Sequence, residues 1–265
     1  MNISASNIGW KSEYDGEMYA WLAENAIAGL EIAPTRIFPE SPYEHVAEIE
    51  KWAKELRQEY GLNIVSMQSI WFGRSENIFE APDSRDILLE YTKRAIDFAQ
   101  AAGCGNLVFG CPRNRNISEK ADKAECRKIA EEFFGKLGEY SACHDTVLAM
   151  EANPPIYNTN FINTTEEAMD LVKSVNCKGF KLNLDIGTMI HNEESADILK
   201  GNMDLINHIH VSEPGLAVIE QRRLHDELSK TFRDKYERYV SLEVKTQDNI
   251  ADIRNMLSYI KKIFG

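Results

Sequence analysis

Four short apolar runs in the second half of the chain each carry one metal-competent side chain: "VLAMEAN" (147–153), "FKLNLDIG" (180–187), "HIHVSE" (208–213) and "VSLEVK" (240–245). Side chains of an extended strand alternate between its two faces. With Leu148 and Met150, Leu182 and Leu184, Ile209 and Val211, and Leu242 and Val244 on one face, the opposite face carries Glu151, Asp185, His210 and Glu243. The alternation predicts that these four share one wall, in a common register. Three carboxylates crowded together in a desolvated place repel one another. A divalent cation removes that conflict. Three carboxylates and an imidazole suit Mn²⁺, Mg²⁺, Co²⁺ or Zn²⁺, and the oxygen-rich set leans toward the harder ions.

Such a wall needs strands that lie side by side. Short β-type runs alternate with longer amphipathic ones along the whole chain, from "NISASNI" and "EMYAWLAENA" to "VSLEVK" and "NIADIRNMLSYIKKIF". In "PYEHVAEIEKWAKELRQEYG", Val46, Ile49, Trp52, Ala53 and Leu56 fall on one helical face. Thr164 or Thr165 offers an N-cap to the helix in "TTEEAMDLVKSVN". After "FKLNLDIG", the segment "SADILKGNMDLI" reads as the next helix. Eight strand-then-helix units over 265 residues give a period of about 33 residues, as a (β/α)8 barrel requires. No linker or composition shift divides the chain, so the expectation is an α/β fold, a (β/α)8 TIM barrel, with residues 1–265 forming a single domain. The rival, a doubly wound open sheet, usually has a Gly-rich first turn, and "ASNIGW" has none. No phosphate-binding G-x-x-x-x-G-K-[ST] occurs either, so a nucleotide cofactor is not indicated. In a barrel, inward residues at the C-terminal ends of the strands form the site. That is where the four ligand-type residues fall.

Composition narrows the partners. A net charge of −12 argues against a broad nucleic-acid-binding face. The five cysteines are scattered and form no C-x-x-C pair. They read as reduced thiols of a cytoplasmic protein. The start, "MNISASNIGW", has neither the basic nor the apolar region of a signal peptide, and no apolar run reaches membrane-span length. The expected partner is a small molecule, with no nucleic acid or membrane, and a homo-oligomer is compatible with the sequence.

"AMEANP", "NLDIGT", "HIHVSE" and "SLEVK" together resemble the xylose-isomerase-like TIM-barrel superfamily, which includes sugar isomerases and epimerases, inosose-type dehydratases and an abasic-site nuclease. "GLEIAP" (29–34), with Glu31 near its end, is similar to that family's second strand. The resemblance implies one divalent metal held by Glu151, Asp185, His210 and Glu243. It also implies chemistry at the carbon next to a carbonyl, with Glu151 and Glu243 passing a proton. Their strands, the fifth and eighth, would set them across the mouth from each other. The chain departs from the family at two substrate-contacting positions. Thr188 stands where a His often follows the metal-binding Asp, and Tyr157 stands where many epimerases carry a second Glu.

Other strand-end residues are candidates for holding a sugar or polyol: Asn7, Gln68, Trp71, Asn153, His225 and Lys245, with Trp10, Glu213, Arg222 and Arg223 nearby. An indole such as Trp71 could cover the apolar face of a sugar, and Lys245, read as inward, could hold a hydroxyl or an anionic group. For each, an exposed loop position or a core filler is the competing reading. The functional expectation is a metal-dependent isomerase or epimerase of a sugar or sugar derivative. A dehydratase or lyase of a cyclic polyol is the alternative on the same site. An abasic-site endonuclease fits less well, because that chemistry uses several zinc ions and more than the six histidines present. A non-catalytic metabolite-binding barrel has no need of paired acids.

Overall fold

A computed structural model describes all residues, 1–265. Eight parallel strands form a closed barrel in sequence order: β1 (Asn2–Ser6), β2 (Gly29–Ile32), β3 (Asn63–Met67), β4 (Leu107–Phe109), β5 (Leu148–Glu151), β6 (Phe180–Asp185), β7 (Ile206–Val211) and β8 (Tyr239–Leu242). Nine helices accompany them: α1 (Asp15–Glu24), the short α2 (Pro34–Ile37), α3 (Val46–Tyr60), α4 (Pro82–Ala102), α5 (Lys123–Ala142), α6 (Thr165–Val175), α7 (Ile186–His191), α8 (Arg223–Phe232) and α9 (Ile250–Phe264). This is the (β/α)8 barrel expected from the βα rhythm.

Local chemistry sets several boundaries. Pro82 opens α4, where a missing N–H costs nothing. Asp122 caps α5 by accepting from Ala124 N and Glu125 N. Thr164, not Thr165, caps α6, in a reciprocal box with Glu167. The unit after β6 departs from the sequence reading. "SADILKGNMDLI" forms only two short 3₁₀ turns, Ala196–Leu199 and Met203–Leu205. The helix is instead α7, which starts directly from Asp185 because that side chain accepts from Thr188 N. A strand-end acid thus serves as a helix cap, and the apolar spacing further on packs a turn.

The apolar core lies between the sheet and the helices, with Phe98, Phe109, Phe134, Phe180, Phe232 and Phe264 all buried. The barrel interior is more polar. Ser4 Oγ lies 2.5 Å from Ser241 Oγ, and Glu31, Gln68, Asn183 and His208 are buried there too. No helix is long and apolar enough to cross a membrane.

The four wall residues do not occupy one register level. Glu151 is paired with Asn183, Asp185 with His210, and His210 with Ser241, while Glu243 lies beyond the last β8 pair, Val211–Leu242. The levels climb around the wall because strands in a closed barrel are tilted and staggered. Side-chain reach, not equal height, brings the four groups together.

Candidate metal centre

Glu151, Asp185, His210 and Glu243 each offer a ligand atom, and these atoms all lie within 4.8 Å of one another. Each side chain is fixed from behind. Glu151 Oε1 accepts from Asn183 Nδ2 at 2.7 Å, and Oε2 accepts from Asn153 Nδ2 at 3.0 Å. Asp185 Oδ2 accepts from Thr188 N at 2.8 Å and lies 2.8 Å from Thr188 Oγ1, while Ser212 Oγ donates to Oδ1. Thr188 is therefore a positioning group for Asp185. Gly187 makes this possible. Its N–H donates to Ser212 Oγ at 3.0 Å, and a Cβ on it would meet that oxygen at 2.3 Å.

His210 is oriented through its far nitrogen. Nε2 lies 2.8 Å from Glu31 Oε2, and both side chains are fully buried. His208 Nε2 lies 3.3 Å from the same oxygen and 3.0 Å from Ser241 Oγ. With Nε2 committed to Glu31, Nδ1 faces the acids, 3.0 Å from Glu151 Oε1 and 3.1 Å from Glu243 Oε2. Those distances would pass for hydrogen bonds, but the angles do not. Nδ1 is a buried nitrogen without a hydrogen-bond partner, and such atoms are rare in folded proteins. A cation at this point would take its lone pair. Glu31, His208 and His210 form a second acid–imidazole cluster, but their facing atoms already satisfy one another. The quartet is the set that fits a divalent ion, and a carboxylate behind a ligating imidazole is the usual means of fixing its tautomer.

The electrostatics show the same conflict. Burial pushes Glu243 up to about 7, against the pull of His210. Burial, with the Glu151 charge, pushes Asp185 up to about 6. Burial opposes charge on His210, but Glu31, Glu243 and Glu151 outweigh it and hold the imidazole well above its ordinary value. Burial alone would raise Glu31, yet His210 and His208 hold its carboxyl well below the usual range. Without an ion, protons do the neutralising.

The acids open on a chamber of about 190 Å³ at the C-terminal end of the barrel, lined also by Gln68, Asn153 and Tyr157. Gln68 is anchored by donating to Ser6 Oγ (2.7 Å) and Glu31 Oε1 (3.1 Å). The Tyr157 hydroxyl accepts from Gly215 N at 2.9 Å, joining two loops at the mouth, and burial pushes its pKa up to about 12.

Four of the sequence-derived binding candidates lie elsewhere. The Trp71 indole donates to Thr92 Oγ1 at 2.8 Å and packs edge-on against Phe109 and Phe133, so it is a core residue. His225 is buried against α9, with Nδ1 3.0 Å from the Tyr259 hydroxyl. Lys245 is exposed, because β8 ends at Leu242 and the alternation that would point it inward has lapsed. Asn7 is buried and accepts from Ala33 N through Oδ1, but does not line the chamber. Of the neighbouring residues, Trp10 donates to Asp15 at 2.8 Å, Glu213 pairs with Arg222 at 2.7 Å, and Arg223 pairs with Glu227 on the surface.

Sequence reasoning missed Arg115. It is fully buried, donates to Glu151 O at 3.0 Å and to Asn153 Oδ1 at 2.7 Å, and leaves its Nε without a partner. By occupying Oδ1 it turns the Asn153 amide so that Nδ2 meets Glu151. The only signal was an arginine in the loop after β4, which no periodicity distinguishes.

Solved structures of the same architecture include a D-psicose 3-epimerase crystallised with D-fructose (TM-score 0.82, 18% identity, all of both chains). They also include a 3-keto-D-glucoside 4-epimerase from E. coli (TM-score 0.79, 19% identity, 99% of each chain). A third is an IolI protein with a bound zinc atom (TM-score 0.73, 15% identity, 99% of this chain and 96% of that one). At these identities the likeness shows the fold. No curated protein matches the chain significantly by sequence. A family model does, over residues 19–263, and the chain belongs to the xylose isomerase-like TIM barrel family.

Proposed function

We propose that this protein is a divalent-metal-dependent epimerase or isomerase of a sugar or sugar derivative, acting at the carbon next to a carbonyl. The observation that carries the reading is the pair Glu151 and Glu243, which reach the orphaned His210 Nδ1 from strands on either side of β6 and β7 and line one chamber. Sugar epimerases of the same fold lend support. An ion held by Glu151, Asp185, His210 and Glu243 would stabilise negative charge developing on the substrate carbonyl oxygen. One glutamate takes the proton from the neighbouring carbon. The other returns a proton to the opposite face, which inverts that centre; return to the adjacent carbon instead isomerises the sugar. Asn183, Asn153 and, through Asn153, Arg115 hold Glu151 in place for this. In the metal-free protein burial pushes Glu243 up to about 7; a bound ion would pull it down and leave the carboxylate ready to take a proton. Gln68, Asn153 and Tyr157 supply polar partners for hydroxyls.

The chamber is lined by neutral residues and the three acids, with no lysine or arginine, which favours an uncharged reacting unit.

The test is conversion of Glu151→Gln and Glu243→Gln. Each keeps size and one oxygen ligand but removes the base. Metal content should fall only partly, while turnover falls about 10²–10⁴-fold. During wild-type turnover solvent deuterium should enter at the carbon next to the carbonyl. Interconversion without any solvent exchange would make the two glutamates ligands only.

A further inference from the structure

The chamber borders a second cavity on the side of β3 and β4. Ser69, Cys111 and Pro112 line both the chamber and this second cavity, of about 530 Å³, between the loops that follow those strands. Two of these threshold residues, Ser69 (φ 54) and Cys111 (φ 42), hold left-handed backbone that non-glycine residues rarely adopt. Strain of that kind gathers at functional sites.

The second cavity has a firm wall. Asn114 is buried, and its Nδ2 bridges the carbonyls of Arg74 (3.1 Å) and Glu76 (2.8 Å). Arg74 is itself paired with Glu76 and stacked 4.9 Å from the Tyr91 ring centroid. Two groups in the cavity remain uncommitted. Phe72 is 69% exposed, more than any other large apolar side chain that reaches the surface. Arg113 is exposed and makes no hydrogen bond or ion pair. An aromatic face and a free guanidinium on the lining of one cavity suit a ring with one apolar C–H face and a hydroxylated rim.

Resting on the function proposed above, we infer that this cleft is a subsite for a second ring: the substrate is a keto-sugar whose reacting unit occupies the chamber and whose glycosidically linked sugar or aglycone lies against Phe72 and Arg113. A phosphate group is the lesser fit. Arg74 is already neutralised by Glu76, Arg113 is the one unpaired cation, and the space far exceeds a phosphate.

Calorimetric titration of the Mn²⁺-loaded protein with D-fructose, with the reducing disaccharides turanose, lactulose and isomaltulose, and with D-fructose 6-phosphate tests the inference. At least one disaccharide should bind about tenfold more tightly than fructose. Phe72→Ala or Arg113→Ala should remove most of that gain and leave fructose affinity unchanged, which also shows that the variants are folded. A gain for no disaccharide, a gain that survives both substitutions, or a gain for the phosphate ester alone overturns the subsite. Solvent deuterium exchange separates the two levels. Exchange into fructose without a disaccharide gain leaves the function standing and sinks the subsite. A gain lost in Phe72→Ala with no exchange into any sugar keeps the subsite and sinks the epimerase reading. Binding of neither sugar sinks both.

Discussion

Replacing Glu31 by Gln tests the link between the barrel core and the candidate metal centre. Both oxygens of Glu31 are acceptors: Oε1 receives Gln68 Nε2 at 3.1 Å, and Oε2 faces His210 Nε2 at 2.8 Å and His208 Nε2 at 3.3 Å. An amide of the same size has only one acceptor oxygen, so either Gln68 or the histidines must face a donor. The contact to His210 also loses its charge. Hydrogen bonds to charged groups contribute about 1.5–3 kcal/mol and neutral ones about 0.5–1.5, a difference near 1–1.5 kcal/mol. That corresponds to about five- to twelvefold in metal affinity. If the amide NH₂ faces His210, the imidazole must change tautomer and carry its proton on Nδ1, toward the quartet. The loss then approaches the hundredfold end of the range for a residue behind a ligand. Competition titration against a fluorescent chelator at neutral pH measures the affinity, and ¹⁵N NMR of the histidines reads the tautomer. A dissociation constant within twofold of wild type, with the His210 tautomer unchanged, would refute the reasoning.

Asp185→Asn and His210→Ala should each abolish stoichiometric metal in purified protein, and metal content equal to wild type in both would remove the site. Arg115→Met leaves Glu151 O and Asn153 Oδ1 without donors. It should cost about 1–3 kcal/mol in urea unfolding and lower kcat more than it raises KM; an unaltered kcat would restrict Arg115 to a structural role. Gly110→Ala places a methyl 2.9 Å from Glu151 Oε2. Turnover should drop by about 10²-fold through misplacement of that carboxylate, with little change in Tm. The pH dependence follows from Asp185, pushed up to about 6, and Glu243, up to about 7, from ordinary values of 3.8 and 4.5. Between those limits the fold holds protons that the unfolded chain has lost. The contribution of these two groups to the stability of the metal-free protein is therefore present at low pH and lost as pH rises to about 7. An ion must displace the same protons, so the Tm gain on adding Mn²⁺ should grow from pH 5 to pH 7. A gain independent of pH would contradict this.

Strand alternation is a local property, fixed by backbone geometry residue by residue. For that reason the eight strands, the helices of seven units and the inward set Glu151, Asp185, His210 and Glu243 are legible in the chain, while the helix after β6 is not. Gln68 and Asn153 are legible for the same reason, as they lie within two residues of a strand end. Local reasoning lapsed where strands end. Lys245 was read as inward three residues past β8 and is exposed. Trp71 reads as a sugar-facing indole, yet the loop after β3 turns it into the core and leaves the neighbouring Phe72 in solvent. His225 lies on the right helix but faces α9, because helix rotation is set by packing against a neighbour. The supporting contacts needed barrel closure itself. Glu31 meets His210 across 179 positions of sequence, and Arg115 meets Glu151 and Asn153 from a loop with no repeating pattern. The candidate ligand types are legible in the sequence because a strand shows which way each residue faces. What holds each of these side chains depends on strand tilt and shear, which bring together elements that no local rule connects.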